Sequence, residues 1–293
     1  MSLTKQTAVT YFGLVVLSVI WGLAFVAIKE ADQVLSPVNL ALMRWLIASV
    51  LFFVLLPVMG KSKSRFERKD VPRLLLVAFA NVAGYHISLN YAETTISAGL
   101  SGLLIAFGPV FIVVLSVFVL SEKAGRKVLL ALLLAVFGTL LLSLSSMSVN
   151  DLSSLYGPGA VILSALCYAL FAVFGKPLVQ KYGSGSVTIR AGLLGTAMIL
   201  PLLSSSFISQ VESLPLDGWI SVLYLSVIST VLGYMLFYKL VSQGAVSRLS
   251  IQLYLVPIVS VVGGVLLLGE SVTPLTAIGG ATMLAAVALG TRR

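Results

Sequence analysis

The chain has 293 residues, of which 59% are hydrophobic and only 10% are charged. An average soluble protein carries about 25% charged residues, so this chain has too few to cover a water-exposed surface. Its mean hydropathy of +1.09 points the same way. These values exclude a soluble enzyme, a disordered chain and a fibrous repeat, and they fit a helical protein that crosses a membrane several times.

Long stretches without Asp, Glu, Lys or Arg predict the membrane spans. A bilayer core of about 30 Å takes about 20 residues of helix. Nine stretches have this length, and a tenth is interrupted only by Arg44. In chain order they are 6–28, 37–60, 74–92, 94–121, 128–150, 152–175, 191–211, 218–238, 249–269 and 271–291. We therefore predict an all-α polytopic membrane protein with ten transmembrane helices.

The positions of the basic residues predict the orientation. If both termini are cytoplasmic, the segments on the inner side hold nearly all Lys and Arg, including the basic loop 61–73. This bias is typical of cytoplasmic loops and predicts a multi-pass protein of the plasma membrane, that is, a prokaryotic inner membrane. We expect the basic loop to contact the anionic lipid bilayer rather than nucleic acid.

The two halves of the chain resemble each other, which predicts a duplication of 1–148 in 149–293. Seven pairs of like residues recur at separations of 144 to 149 residues: Lys29/Lys176, Arg44/Arg190, Pro57/Pro201, Asp70/Asp217, Tyr85/Tyr234, Pro109/Pro257 and Glu122/Glu270. Each half contains five spans, and an odd number places the second copy upside down in the membrane. Two inverted five-helix repeats around a central cavity are a device of transporters.

Several of these residues also carry a resemblance to a known family. The chain has Trp21-Gly22-Leu23-Ala24-Phe25 in the first span, Arg44 in the second, and the stretches from Tyr91 to Glu122 and from Tyr238 to Glu270. In their order and duplication these features resemble EamA-type members of the drug/metabolite transporter superfamily. The resemblance implies a ten-helix fold with a central cavity. It also implies transport of small metabolites, amino acids or drugs, often outward.

Polar and aromatic residues on shared helical faces predict the lining of the cavity. Asn81, Tyr85 and Ser88 lie at i, i+4 and i+7 of the third span, and Thr230, Tyr234 and Tyr238 at i, i+4 and i+8 of the eighth. Other spans add Trp21, Ser101, Tyr168, Gln252 and Tyr254. We interpret this set as substrate-binding, because polar groups inside a membrane tend to face a pathway. Hydrogen bonding between helices is the alternative for each residue.

The charged and titratable residues near the spans allow further predictions. His86 is the only histidine and suits a proton relay, with a neutral imidazole bonded to a neighbouring helix as the alternative. Arg44 and Arg190 lie near the starts of their spans. We expect them to reach the membrane interface or pair between helices rather than to bind a substrate carboxylate. Glu93 ends the third span, where we expect it to be solvated.

Two prolines in the middle of spans are candidate hinges. Pro109 and Pro257 each remove a backbone hydrogen bond from a helix and occupy equivalent places in the two halves. We predict that the helices bend there during transport. A static kink is the alternative, because proline is common in membrane helices.

The sequence thus predicts a secondary transporter for a small-molecule substrate, working by alternating access, with export as the expected direction. Two alternatives stay open. One is a passive channel, and the other is an intramembrane serine protease that uses Ser101, in Gly99-Leu100-Ser101-Gly102, together with His86. We expect no enzyme activity, cofactor or metal site, because no motif for them occurs. We expect a monomer or a weak homo-oligomer.

Overall fold

The structure, a computed structural model, describes residues 3–120, 126–145, 155–242 and 250–291. All regular structure within these ranges is helical. Seven helices are long and apolar enough to cross a membrane. Shorter apolar helices run over Leu133–Ser145, Leu255–Leu268 and Pro274–Ala286. The chain is therefore a polytopic helical membrane protein.

The first half contributes helices 1 to 5. Their bounds are Leu3–Ala31 for helix 1, Pro37–Met59 for helix 2, Val71 to Glu93 for helix 3, Ala98–Ile105 and Gly108–Leu120 for the two parts of helix 4, and Arg126–Ser145 for helix 5. Helix 2 begins with proline, and the Oγ of Ser36 accepts a hydrogen bond from the N–H of Asn39. Such caps satisfy the free donors of the first turn and fix where a helix starts.

The second half contributes helices 6 to 10 and one short helix. Their bounds are Tyr156–Tyr182 for helix 6, Ser184–Ile199 for helix 7, Phe207–Glu212 for the short helix, Leu216 to Ser242 for helix 8, Ser250–Leu268 for helix 9 and Pro274–Thr291 for helix 10. The predicted span 191–211 is wrong in its bounds. Helix 7 begins at Ser184 and therefore includes Arg190, whose guanidinium donates to the carbonyl of Gly60 at the end of the bundle.

Helices 3 and 8 each contain a π-helical segment in the middle. Ala80–Ile87 is the π segment of helix 3, and Tyr224–Leu232 is that of helix 8. A π segment has a wider turn and rotates the residues that follow it relative to a regular helix. The 3.6-residue spacing from which the cavity faces were predicted therefore does not hold across these two helices.

Helix contacts follow the same plan in both halves. Helix 1 packs against helices 8 and 9, and helix 6 packs against helices 3 and 4; helix 2 packs against helix 7, and helix 5 against helix 10. The Oγ of Ser49 donates to Oγ1 of Thr196 over 2.8 Å, and these residues are 147 apart in sequence. Trp21 and Tyr85 contact both of the large clusters of buried apolar side chains. The centre of the bundle thus lies between the halves.

Candidate functional site

A small cavity lies at this centre, between helices 1, 2, 3, 6 and 8. Its wall is formed by Trp21, Ala24, Phe25, Ile28, Arg44, Tyr85, Leu89, Tyr168, Ser229 and Tyr234. The cavity has a volume of about 20 Å³, which suffices for about one water molecule. The space is too small for a solute of the size of an amino acid.

Aromatic rings form much of the cavity wall. The ring of Trp21 lies 5.5 Å from that of Tyr234 and 6.3 Å from that of Tyr168, which in turn lies 6.3 Å from Tyr85. These centroid distances are typical of interacting aromatic pairs. All four residues belong to the predicted lining, and the structure brings them together around one space.

Arg44 adds a positive charge to this wall. Its side chain is only 3% exposed. Its Nε donates to Oγ1 of Thr230 over 2.6 Å, and its Nη2 donates to Oγ of Ser229 over 3.0 Å. Of the two expected arrangements, pairing between helices is therefore the one observed. The predicted lining residue Thr230 contacts Arg44 rather than the cavity itself.

Close helix crossings on both sides of the cavity require glycine. A Cβ on Gly233 would lie 2.6 Å from Nε1 of Trp21, and one on Gly84 would overlap Sγ of Cys167. Because Gly233 lets helix 1 approach helix 8, the indole of Trp21 donates to the carbonyl of Ser229 over 3.1 Å. The repeated Gly-Tyr pairs therefore place a tyrosine beside the cavity and a glycine at the adjacent crossing.

His86 lies behind Tyr234 and does not line the cavity. Its Nε2 is 3.1 Å from the Oη of Tyr234, and its ring is 4.9 Å from that of Tyr85 and 5.4 Å from that of Trp45. Nδ1 has no hydrogen-bond partner among the described residues. The bond to Tyr234 matches the arrangement that we named as the alternative to a proton relay. The relay itself stays a prediction.

The other predicted lining residues lie away from this cavity. Tyr238 is buried and stacks on Phe171 at 4.9 Å, Asn81 is buried in the π segment of helix 3, and Ser88 is half-buried. The π segment of helix 3 changes the faces that Asn81 and Ser88 present relative to Tyr85. Tyr238 lies four residues after Tyr234 in the regular last part of helix 8, one turn further along the helix. The side chains of Gln252 and Tyr254 lie outside the described part of the structure. The predicted lining did not include Ser229 and Phe25, which do line the cavity.

Ser101 and His86 do not form the pair that a serine protease needs. Nε2 of His86 is directed at Tyr234, while Oγ of Ser101 is buried and has no hydrogen-bond partner within the described ranges. A nucleophilic serine needs its base within hydrogen-bond reach. The protease alternative therefore lacks its geometry.

The described residues also contain no group of three or more His, Cys, Asp or Glu side chains that could hold a metal ion.

Glu93 is buried, and the expectation that it is solvated is wrong. The end of helix 3 packs against helices 1, 2, 4 and 6, and Glu93 has no exposed surface. Neither carboxyl oxygen has a partner in the portion of the chain that the structure describes. Lys29 instead donates to the backbone carbonyls of Glu93 and Ile96. We call this side of the molecule the Glu93 end.

Two further acids of the Glu93 end have distinct environments. Burial raises the pKa of Asp32 to about 6, although the positive charge of Lys29 opposes this. Glu270 accepts hydrogen bonds from the N–H groups of Ala98 (2.6 Å) and Gly99 (2.9 Å). This carboxylate therefore caps the N-terminus of helix 4, where both the free donors and the helix dipole favour a negative charge.

The opposite side, which we call the Asp70 end, carries an exposed network of ion pairs. Nζ of Lys181 lies 2.6 Å from Oε1 of Glu67 and 2.7 Å from Oδ2 of Asp70. The hydroxyl of Tyr182 donates to the same Asp70 oxygen over 2.6 Å. Hydrogen bonds from Lys181 and Lys69 lower the pKa of Glu67. The acids of this end are thus paired, in contrast to Glu93.

The two candidate hinges differ in structure. Helix 4 is interrupted before Pro109, where the N–H groups of Ala106 and Phe107 donate to carbonyls only three residues earlier. Helix 9 continues through Pro257 without a break. The equivalent prolines therefore lie in unlike backbones. Bending of the helices during transport stays a prediction.

Comparison with known proteins places this geometry in a family. A small buried cavity with aromatic walls, at the centre of a polytopic helical bundle, defines a helical membrane protein with a central site. The model of the EamA-like transporter family matches residues 8–144 and again residues 155–292. The chain belongs to the EamA-like transporter family, within the drug/metabolite transporter superfamily, and is a membrane transporter.

Relatives cover nearly the whole chain. An uncharacterized transporter of Archaeoglobus fulgidus is 33% identical over 93% of this chain and 95% of its own. A probable terminal-alkyne amino-acid exporter of Streptantibioticus cattleyicolor is 28% identical over 96% and 93%. A probable amino-acid metabolite efflux pump of Salmonella typhimurium is 27% identical over 91% and 89%. A solved crystal structure shares the fold, with a TM-score of 0.63, 14% identity and 96% coverage of both chains.

Proposed function

We propose that the protein is a secondary transporter that exports a small metabolite, an amino acid or a drug-like solute across the cell membrane by alternating access. The single observation that carries the proposal is the cavity between helices of both halves. It is lined by aromatic rings and one arginine, and it is too small for a solute in this conformation. A site that is buried at the interface of two bundles must open to one side or the other when they move apart.

The matched contacts of the two halves support an inverted repeat of 1–148 and 149–293. Helix 1 contacts helices 8 and 9 as helix 6 contacts helices 3 and 4. Ser49 bonds to Thr196, its equivalent in the other half, as expected for residues on a pseudo-two-fold axis. Such an axis in the membrane plane allows two states of opposite access from one protein. Ten transmembrane helices, the seven long ones and the three shorter apolar ones, complete this scheme.

Outward transport is supported by the names of the relatives. The proteins of Streptantibioticus cattleyicolor and Salmonella typhimurium are described as an exporter and an efflux pump for amino acids or their metabolites. We propose the same direction and solute range here. The large exposed apolar side chains, among them Phe53, Phe118 and Leu266, suit contact with lipid, so we propose a monomer or weak homo-oligomer in the inner membrane.

The test is flux in proteoliposomes. The purified protein is reconstituted, and a panel of radiolabelled amino acids, organic acids and hydrophobic cations is followed with and without an imposed proton gradient. A carrier gives saturable flux, and an unlabelled solute on the opposite side accelerates the exchange. A channel gives neither. Flux without saturation or exchange contradicts alternating access, and absence of flux for every class contradicts the proposed function.

Orientation has a separate test. We propose that both termini, and with them the Asp70 end, are cytoplasmic. Ser64 is exposed at the Asp70 end and Ser213 is exposed at the other. Ser64→Cys should be shielded from an impermeant thiol reagent added outside intact cells, whereas Ser213→Cys should react. The native Cys167 is buried and gives little background. The reverse labelling contradicts the orientation.

A further inference from the structure

The cavity wall carries a single kind of charge. Among the residues that line it in the described structure, Arg44 is charged and none is acidic. A guanidinium stays protonated in proteins, so its burial does not remove the charge. The wall of the proposed substrate site therefore presents one positive group within an aromatic and apolar surface.

The partners of Arg44 leave that charge without an anion. Both partners, Thr230 and Ser229, are neutral hydroxyls. The ion pairs that Lys69 and Lys181 form with Glu67 and Asp70 lie at the Asp70 end, and Arg44 takes part in none of them. A buried charge costs several kcal/mol unless an opposite charge compensates it, and hydroxyl groups offset only part of that cost. A bound anion is the missing component.

Helix 8 holds the guanidinium in a fixed orientation. The π segment Tyr224–Leu232 presents both hydroxyls from consecutive residues. Thr230 donates its own proton to the carbonyl of Leu225 over 2.7 Å, so its oxygen lone pairs are available to Arg44. The indole of Trp21 bonds to the backbone of Ser229 and fixes the same turn. A charged group that is oriented before its ligand arrives loses little freedom on binding.

Glu93 is the buried acid that could compete for Arg44. Its carboxyl oxygens make no hydrogen bond with the described residues, so Glu93 does not pair with Arg44 in this conformation. Its neighbours at the Glu93 end are Lys29 and Asp32. An internal Arg44–Glu93 pair in another conformation is therefore a distinct hypothesis, which the experiment below has to separate.

We propose that Arg44 binds a carboxylate group of the transported solute, which restricts the solutes of the proposed function to those that carry a free carboxylate. This inference rests on the proposed transport function. The fork of the guanidinium matches the two oxygens of a carboxylate. The rings of Trp21, Tyr85, Tyr168 and Tyr234 then accept the apolar side chain, and a ring face attracts an ammonium group.

The first experiment compares matched probes on the wild-type protein. L-Phenylalanine and L-leucine carry the carboxylate; their amides keep the side chain and the amine but lack the negative charge. We measure competition against the best solute of the flux panel, and the rise in melting temperature of the detergent-purified protein. The carboxylates should bind roughly tenfold more tightly than the amides, the equivalent of about 1.4 kcal/mol. Equal or weaker binding of the carboxylates overturns the inference, while flux of another solute class leaves the transport function intact.

The second experiment assigns the discrimination to Arg44. Arg44→Lys keeps the charge but loses the fork, and Thr230→Val removes one orienting hydroxyl. Both should reduce the carboxylate preference by roughly tenfold through the apparent affinity. Arg190→Lys is the matched control outside the cavity and should keep the preference. If Arg44→Lys does not fold, the carboxylate preference of Thr230→Val and Ser229→Ala tests the assignment to Arg44. A preference that survives in these variants and disappears in Glu93→Gln overturns the assignment.

Discussion

Arg44 and Arg190 are equivalent residues of the two halves, and they are used differently. Arg44 lies buried at the cavity and bonds to two hydroxyls of helix 8. Arg190 is half-buried at the Asp70 end, donates to the carbonyl of Gly60 over 2.8 Å, and lies 5.3 Å from the ring centre of Phe66. Backbone carbonyls and a ring satisfy Arg190, whereas Arg44 retains capacity for an anion. The two arginines thus occupy corresponding positions in the sequence but have different partners in the structure.

The backbones of the two halves also differ at equivalent positions. Helix 4 is interrupted before Pro109, and helix 9 runs unbroken through Pro257. A transporter that alternates between two forms has each half in a different form at any one time, with the halves exchanging roles. On this view the interrupted helix 4 and the continuous helix 9 are two states of one design. Mutations at equivalent positions of the two halves are therefore the most informative.

The largest effect is expected at the equivalent tyrosines. Tyr234 is 4% exposed, bonds to His86 and stacks on Trp45 at 5.9 Å, whereas Tyr85 is only half-buried. Truncating a buried aromatic side chain costs about 3–5 kcal/mol. Tyr234→Ala should abolish transport and reduce the amount of folded protein. Tyr85→Ala should impair transport while the protein stays folded.

The controls keep the ring and remove the hydroxyl. Tyr234→Phe loses the bond to His86 but fills the same space, and Tyr85→Phe is its counterpart. Flux in proteoliposomes is measured together with monodispersity on size-exclusion chromatography. Normal transport by both alanine variants contradicts the assigned lining. Equal loss of folding at the two positions contradicts the difference between them.

How far the sequence predicts this site depends on the residue. Trp21, Tyr85, Tyr168 and Tyr234 were predictable, because aromatic side chains in apolar spans recur at equivalent positions and large rings meet at a helix crossing. The positions of most helices follow from the charge-free stretches of the sequence. Family resemblance added the architecture, and the family match confirms that membership.

Other features depend on contacts between distant parts of the chain. The π segment of helix 3 changes the face of Ser88 relative to that of Tyr85, and the sequence does not reveal such a segment. The burial of Glu93 depends on the packing of helix 3 against helices 1, 2, 4 and 6, which no local sequence pattern predicts. Arg44 was expected to pair between helices, but only the structure identifies hydroxyls as its partners.

A smaller effect is expected at the prolines. An alanine restores the helix donor and stiffens the segment. Pro109→Ala should favour a continuous helix 4, and Pro257→Ala should leave helix 9 continuous and less able to break. Each should lower the maximal rate with little change in affinity, and their shifts of accessibility should be opposite in sign. Cysteine labelling from each side of the membrane, with binding measured in parallel, checks this; unchanged labelling and rate in both variants would reduce the prolines to static kinks.

The cap that Glu270 forms on helix 4 should stabilise the folded protein by about 1 kcal/mol. Glu270→Gln keeps an acceptor but loses the charge that favours the helix N-terminus, and Glu270→Ala loses both. We expect melting temperatures to fall in that order, with transport retained in Glu270→Gln. Glu212→Gln, an exposed acid at the same end of the molecule, serves as the control. A Glu270→Ala variant as stable as the wild type contradicts the capping role.

The smallest effect is expected on the pH dependence of stability, and it distinguishes Asp32 at the Glu93 end from Asp70 at the opposite end. Asp70 is paired with Lys181, whereas Asp32 is half-buried with one oxygen, Oδ2, that lacks a partner among the described residues. Burial raises the pKa of Asp32 from 3.8 to about 6 in the folded protein. The folded state therefore binds this proton more tightly than the unfolded state does. The resulting stability is fully present below about pH 4 and is lost as the pH rises towards 6.

Asp32→Asn should remove this pH dependence. The variant should match the wild type near pH 4 and melt at a higher temperature above pH 6, because the wild type alone then buries a carboxylate. Asp217→Asn, an exposed acid at the Glu93 end, should show no such crossover. Melting temperatures in detergent at pH 4.5, 6 and 7.5 test the difference. The effect should be small, because Asp32 keeps some contact with solvent, which screens its charge. A wild-type protein that gains stability relative to Asp32→Asn as the pH rises would show that Asp32 is paired rather than isolated.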